Sequence, residues 1–411
     1  METARLRREL DEHGVAVLPP PSSATRRLAR LAGWLRSDGA SSEVAEPTTA
    51  EEWQAAVLEA EAGDVASILA REPDPFRAMA EMRTPGVVIR KAYPPADIPR
   101  LVQRLIDRRL MRGPDDPVEL TADGSFSDVV RDEAGRVFKG SSYVRPEANG
   151  RGPRPGMGGW TPSRIDIGTS FGGGWGNVGA DGDASAKNSG GMSAFFAHSA
   201  GTHELFSTLF EGMPDPVEIL YDCCAQLTNA QQTVMVAEEP DGRQYGPAIF
   251  RVHYEGHDYQ PHVNHVGQTE RARELHNLTP KAESTPYYNA FRFAHQMAAL
   301  ICVQHTSVQA GATAGSTLNG TATSATPQAI VHRVRPNADT AAALAAGEFG
   351  SYLHQAAVPS ATLHVEPGDF YIFNAGLLHE VPIIPVGGDA RIVLATFIGY
   401  SEDDPEIHVW A

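Results

Sequence analysis

Three short stretches of this chain hold residue types that can do chemistry together. The first is Pro261-His262-Val263-Asn264-His265, shortly after a β-branched and aromatic run that ends at Tyr254. The second is Phe373-Asn374-Ala375-Gly376-Leu377-Leu378-His379, and the third opens at Arg391. On a strand, side chains at i and i+2 share a face, so His262 and Asn264 are expected to project together and His265 the other way. A non-haem iron(II) site needs two imidazoles and usually one carboxylate on one octahedral face, with open positions left for oxygen and a chelating co-substrate. A nearby guanidinium fork is suited to hold a carboxylate of that co-substrate in bidentate fashion, which lysine does less well. Any single histidine among the 15 in the chain is more often a core or surface group than a ligand, so the signal is the combination.

The elements that must position these residues are legible as patterns. Gly86-Val87-Val88-Ile89-Arg90 reads as a strand, and Asp97 as the cap of a helix with Ile98, Leu101, Val102, Leu105, Ile106 and Leu110 on one face. Asp215-Pro216 with Glu218 opens a second helix, whose apolar face includes Cys224 and gives the Cys223-Cys224 pair a core explanation. Thr233 to Val236 and Ala248 to Tyr254 flank Pro240-Asp241-Gly242 and predict a hairpin. Ala361 to Val365, the turn Glu366-Pro367-Gly368-Asp369, Phe370 to Asn374, and Arg391 to Tyr400 are further strands. Many strands with turn signals between them point to a sandwich or jelly roll.

Tyr254, Pro261-His262-Val263-Asn264, the Glu366-to-Asp369 turn, His379 and Arg391 together resemble the iron(II)/2-oxoglutarate-dependent oxygenase superfamily, of prolyl-hydroxylase-like type, over roughly residues 245 to 400. The resemblance implies a mainly β fold with flanking helices, a double-stranded β-helix (jelly roll) core and a helical N-terminal extension. It implies Fe(II), 2-oxoglutarate as co-substrate and O2, with His262 and His379 as metal ligands and Arg391 on the C5 carboxylate of 2-oxoglutarate. By a looser carry-over, the resemblance also implies Tyr254 as a residue that supports the same carboxylate. The chain departs from the pattern at Asn264, where the superfamily has Asp. An amide can ligate iron weakly, the position can stand vacant for an exogenous anion as in related halogenases, a distant carboxylate such as Asp258 or Glu270 can substitute, or the site can be inactive. The expected activity is dioxygenase oxidation of a C–H bond of a small metabolite or natural-product precursor, hydroxylation first. The alternatives are a halogenase-like enzyme, a non-catalytic small-molecule-binding protein of the same fold, or a cupin-like metal enzyme using His262, His265 and His379.

The rest of the chain bounds this reading. With 51 acidic and 34 basic residues the net charge is −17, which argues against a nucleic-acid partner. No apolar run reaches the roughly 18 residues of a membrane span, and Met1 to Leu10 lacks an apolar signal core. Three cysteines do not make a disulfide framework, so a cytoplasmic setting is expected. Two domains follow: a helical extension over 1–75, read as a packing appendage or a homo-oligomer contact, and the oxygenase domain over 76–411. Glycine-dense 140–191 and Ala/Thr/Gly/Ser-rich 306–360 are expected as lid-like insertions, with Trp160 and Trp175 as lid aromatics. Gly174-Trp175-Gly176-Asn177-Val178-Gly179 matches a dinucleotide fingerprint, but no helical pattern follows it, and glycine density explains the match.

Overall fold

A computed structural model describes residues 48–108, 110–111, 141–143, 164–169, 191–229, 231–253, 293–305, 329–346, 348–380 and 389–411. Tyr254, His262, Asn264 and His265, the 174–179 glycine motif, and Trp160 and Trp175 lie outside the described residues. In chain order the strands are β1 Leu58–Glu61, β2 Gly86–Arg90, β3 Ser141–Tyr143, β4 Arg164–Ile167, β5 Thr233–Val236, β6 Ile249–His253 and β7 His295–Gln304. They continue as β8 Ala329–His332, β9 Ser360–Leu363, β10 Phe370–Asn374, β11 His379–Glu380, β12 Arg391–Tyr400 and β13 Glu406–Trp410. The helices are α1 Ala50–Ala55, α2 Val65–Arg71, α3 Pro75–Ala80, α4 Ile98–Asp107, α5 Gly191–Leu209, α6 Pro216–Leu227, α7 Ala338–Ala346 and α8 Phe349–Gln355.

A ten-stranded, mostly antiparallel sheet runs β1-β2-β10-β7-β12-β6-β4-β3, with β13 and β5 added beside the far half of β12. A second sheet of three strands runs β11-β8-β9. The parity of the large sheet's strands explains its position as a middle layer. Phe250, Val252, Ile301, Ile372, Ile392 and Leu394 pack with the helix residues Leu101, Leu105, Phe206 and Leu220. The alternate residues Leu300, Tyr371, Phe373, Val393 and Phe397 pack with Val331 and Leu363 of the small sheet. Both faces are covered, so β10 and β12 read as continuous apolar runs without polar alternation.

Local chemistry sets several of these elements. Asp215 caps α6 by accepting from Val217 N at 2.7 Å, with Pro216 in the first turn. Asp97 does not act as the side-chain cap expected for α4; its backbone is already helical and a 3-10 turn over Pro95–Asp97 leads in. The Glu366-to-Asp369 turn is held by the buried Asp369, which accepts from Lys91 N at 2.9 Å and Glu366 N at 2.8 Å and meets Arg90 Nη1 at 2.6 Å. That turn needs Gly368, whose φ is +99°, and it sets the register of β10 against β2.

Three expectations are corrected. β5 and β6 do not form a hairpin: β5 pairs in parallel with β13, β6 inserts between β12 and β4, and only the bridge of Glu238 with Gln244 remains. The reason is burial, since β6 is covered along its length while β5 alternates exposed and half-buried residues at an edge. Within 1–75, residues 58–61 are a strand in parallel with β2, whose outer edge would otherwise be unpaired. Next to it, α1 docks on the small sheet: Trp53 Nε1 donates to Val331 O at 3.1 Å, and Gln54 bonds both backbone groups of Thr362 at 3.0 and 2.8 Å. Within 306–360, residues 329–360 carry β8, α7, α8 and the start of β9, so this stretch builds the small sheet.

The β2–β10 contact gives a stability prediction. A Cβ at Gly86 would lie 2.5 Å from Ile372 O, and both strands are internal. Gly86→Ala is expected to destabilise the fold by about 1–3 kcal/mol through forced separation of the strands, read as a lowered urea midpoint. An unchanged midpoint would mean the strands part freely here.

Candidate functional site

Between the inner face of the large sheet and the small sheet lies an open cleft with about 650 Å3 of empty space, part of it continuous with solvent. Its large-sheet wall carries Arg251, His253, Tyr371 and Arg391, and its small-sheet wall carries His379 and Glu380. Apolar side chains, among them Leu300, Val393 and Ala395, line the rest.

His379 is placed by the crossing from one sheet to the other. At the end of β10 the Asn374 side chain donates to Met79 O at 3.0 Å and accepts from Gly376 N at 2.8 Å. A Cβ at Gly376 would lie 2.8 Å from that same amide oxygen, so glycine is needed for the turn to close. Leu378 then bonds Val334 and His332 through its backbone, and β11 joins β8 with His379 opposite Val331. The imidazole is buried and meets the Phe373 ring edge-on at 4.8 Å. Its Nδ1–H donates to Leu377 O at 2.8 Å, which makes Nε2 the lone-pair nitrogen of the neutral ring. Burial pushes the His379 pKa down to about 4; the bond to Leu377 opposes this, and the charges of His332 and Arg251 add to it.

Arg391 opens β12 directly across from His253 of β6. It is 4% exposed, and among the described residues its guanidinium makes one hydrogen bond, from Nη2 to Tyr371 Oη at 3.1 Å. Burial pushes the Tyr371 phenol up to about 12, against the lowering effect of Arg391. A buried cation bonded to a neutral phenol, with no carboxylate on it among the described residues, is an incomplete arrangement. A carboxylate delivered into the cleft would complete it.

Behind the small-sheet wall, the buried His332 on β8 links Ser360 Oγ, 2.7 Å from Nδ1, to the Glu380 carboxylate, 3.3 Å from Nε2. Glu380 follows His379 on β11, with its carboxylate near His332 Nε2 but not in hydrogen-bond geometry with it.

Of the residues singled out from sequence, His379 and Arg391 meet in this one cleft, from opposite walls. Tyr254, His262 and Asn264 are not described, and among the described residues no three His, Cys, Asp or Glu side chains form a metal-binding group. Sequence reading missed Tyr371, Arg251, His253 and Glu380. Strand parity could have found the first three. Arg251 and His253 share a face with Ile249, and Tyr371 shares one with Phe373. Strand β4 pairs with β6, and Asp166 on it and Thr169 just beyond it are buried. Among the described residues no helix is long and apolar enough to cross a membrane.

No known protein-family profile matches the chain, and no curated protein matches it. It is similar to solved structures. One is an N-substituted L-amino acid dioxygenase from Burkholderia ambifaria AMMD in complex with alpha-ketoglutarate, at 13% identity over 61% of this chain and 87% of that one, with a TM-score of 0.34. Another is the non-heme alpha-ketoglutarate-dependent epimerase SnoN from nogalamycin biosynthesis, at 11% identity over 82% of this chain and 86% of that one, with a TM-score of 0.35.

Proposed function

We propose that this chain is an iron(II)/2-oxoglutarate-dependent oxygenase that oxidises a C–H bond of a small molecule, hydroxylation first. The observation that carries the reading is Arg391, a buried guanidinium backed by Tyr371, in the same cleft as the buried imidazole of His379. The winding of the chain supports a double-stranded β-helix: β10, β11 and β12 fall in the large, small and large sheets in turn, while β8 and β9 join β11.

His379 fits a metal ligand on its chemistry. Its ring is neutral at neutral pH, and its Nδ1–H is committed to a backbone carbonyl, the outer-shell bond that orients metal-bound imidazoles. With it, His262 and Asn264 would hold the iron. When bound, iron supplies the activation of O2 coupled to oxidative decarboxylation of 2-oxoglutarate to succinate.

The chain's own side chains do the rest. Arg391 and the Tyr371 hydroxyl hold the C5 carboxylate of 2-oxoglutarate. Leu300, Val393 and Ala395 keep water from the bound chain of the co-substrate, which strengthens the charge pairing. The cleft is lined mainly by apolar side chains with a few polar and charged groups among them, the make-up of small-molecule sites, and a small metabolite is the substrate class we propose. Cys223, Cys224 and Cys302 are buried free thiols, which suits a cytoplasmic setting.

The test is anaerobic titration of the chain with iron(II) and 2-oxoglutarate. A weak visible charge-transfer band that needs both components is expected, and its absence with iron demonstrably bound would overturn the assignment. Asn264→Asp in the same titration is expected to raise iron affinity by about tenfold or more, because it restores a negative charge to the ligand set. Equal iron affinity in the two proteins would remove Asn264 from the metal site.

A further inference from the structure

His379 sits on β11, a strand of two residues whose one backbone partner among the described strands is β8. A strand that short does not fix its own place, so the position of the imidazole is set by whatever fixes β8. A metal ligand has to be held to within about 0.5 Å of its productive geometry by the packing and hydrogen bonds around it. The residue directly opposite His379 is Val331, and the Val331 carbonyl accepts the indole N–H of Trp53 at 3.1 Å. Trp53 is wholly buried in the same apolar cluster as Val331 and Phe373, and Phe373 is the ring that meets His379.

The segment that carries Trp53 grips both flanks of His379. Arg333, two residues along from Val331, lies over the indole with its guanidinium carbon 5.8 Å from the ring centroid, and its Nε donates to Met82 O at 3.2 Å. Arg335 Nη2 donates to Ala80 O at 3.1 Å. Asn374, at the turn that leads to His379, donates to Met79 O at 3.0 Å. These three carbonyls lie at and just beyond the C-terminal end of α3, where the helical ladder runs out. Their side-chain donors come from the chain following β8 and from the turn before β11, the two stretches that frame His379.

We infer that Trp53 is a positioning residue for His379, acting through the Val331 carbonyl, so that the segment from Trp53 to Met82 braces the metal-binding wall of the cleft. The inference rests on the reading of His379 as an iron ligand and deepens it. The co-substrate anchor stands outside this brace, because Arg391 and Tyr371 are both on the large sheet, on β12 and β10. Loss of the indole N–H therefore loosens the hold on iron and spares the hold on the distal carboxylate of 2-oxoglutarate.

The experiment compares the full-length wild type with Trp53→Phe and Gln54→Leu. Trp53→Phe keeps an aromatic ring beneath Arg333 and removes the N–H. Gln54→Leu removes two hydrogen bonds from α1 to Thr362 on β9, with β8 standing between β9 and β11, and so measures a weakened docking of α1 by itself. Iron(II) affinity is read by anaerobic competition with a chromophoric chelator, 2-oxoglutarate affinity from the charge-transfer band at saturating iron(II), and stability from urea midpoints. Trp53→Phe is expected to bind iron(II) about tenfold more weakly, the lower end of what losing an orienting partner of a ligand costs, with 2-oxoglutarate affinity unchanged. Gln54→Leu is expected to keep wild-type iron(II) affinity even with a lowered urea midpoint. Wild-type iron(II) affinity in Trp53→Phe overturns the inference and leaves the function reading standing. So does an equal loss in Gln54→Leu, which marks general undocking of α1, and so does an equal loss of 2-oxoglutarate affinity in Trp53→Phe, which marks a loosened cleft. If Trp53→Phe does not fold, benzothienylalanine at position 53, which keeps the shape of the indole and lacks the N–H, decides by the same criteria. A wild-type chain that takes up no iron(II) overturns the function reading and the positioning role together.

Discussion

Arg391→Met is expected to move binding and stability in opposite directions. Binding of 2-oxoglutarate should weaken by about 2–5 kcal/mol, the cost of removing one partner from a buried charge pair, which is at least roughly thirtyfold in Kd. The ligand-free chain should be as stable as wild type or more so by about 1 kcal/mol, because an apolar side chain of similar volume replaces a buried cation. The structural basis is the same for both effects. Arg391 is 4% exposed, and among the described residues the one hydrogen bond of its guanidinium goes to the neutral Tyr371 hydroxyl. Equilibrium dialysis with labelled 2-oxoglutarate and urea unfolding of the same preparations would read the two signs. A variant that lost stability along with binding would place Arg391 in a structural ion pair.

The second large effect is on acid stability of the metal-free chain, measured with chelator present. Burial holds the His379 pKa at about 4 in the folded protein, against an ordinary value of 6.5. Between these values the unfolded chain binds a proton that the folded chain refuses. The stabilising contribution of the neutral ring is therefore complete above pH 6.5 and is lost as pH falls from 6.5 to about 4. Its size is on the order of 3 kcal/mol over that window. His379→Asn should flatten the fall of the unfolding free energy with pH by about one proton there. Urea midpoints taken at half-unit steps would show parallel curves for the two proteins if the imidazole were open to solvent.

Strand identity was the part of the fold most legible in sequence. Gly86–Arg90, Phe370–Asn374 and Arg391–Tyr400 are strands with the bounds their apolar runs predict. Pairing was not legible. The Pro240-Asp241-Gly242 turn reads as a hairpin signal, yet β5 and β6 part because β6 has two buried edges to satisfy, on β12 and β4. The small sheet was hidden for a related reason. The Thr, Gly and Ser of 306–360 lie mostly before residue 329 and mask the short apolar run at Ile330-Val331, and β8 becomes a strand through backbone partners on β9 and β11 that are distant in sequence.

For the site, the residue types and their order along the chain carried the chemistry of His379 and Arg391, because a lone-pair imidazole and a planar guanidinium have few substitutes for holding a metal and a carboxylate. Their sequence could not carry how wet or dry those groups are. Sheet stacking decided that: it buries both groups, places Tyr371 against Arg391 across β7, and sets Arg251 one diagonal step away. Electrostatic strength depends on excluded water and on neighbours brought from tens to hundreds of residues away, and those are properties of packing rather than of spacing along the chain.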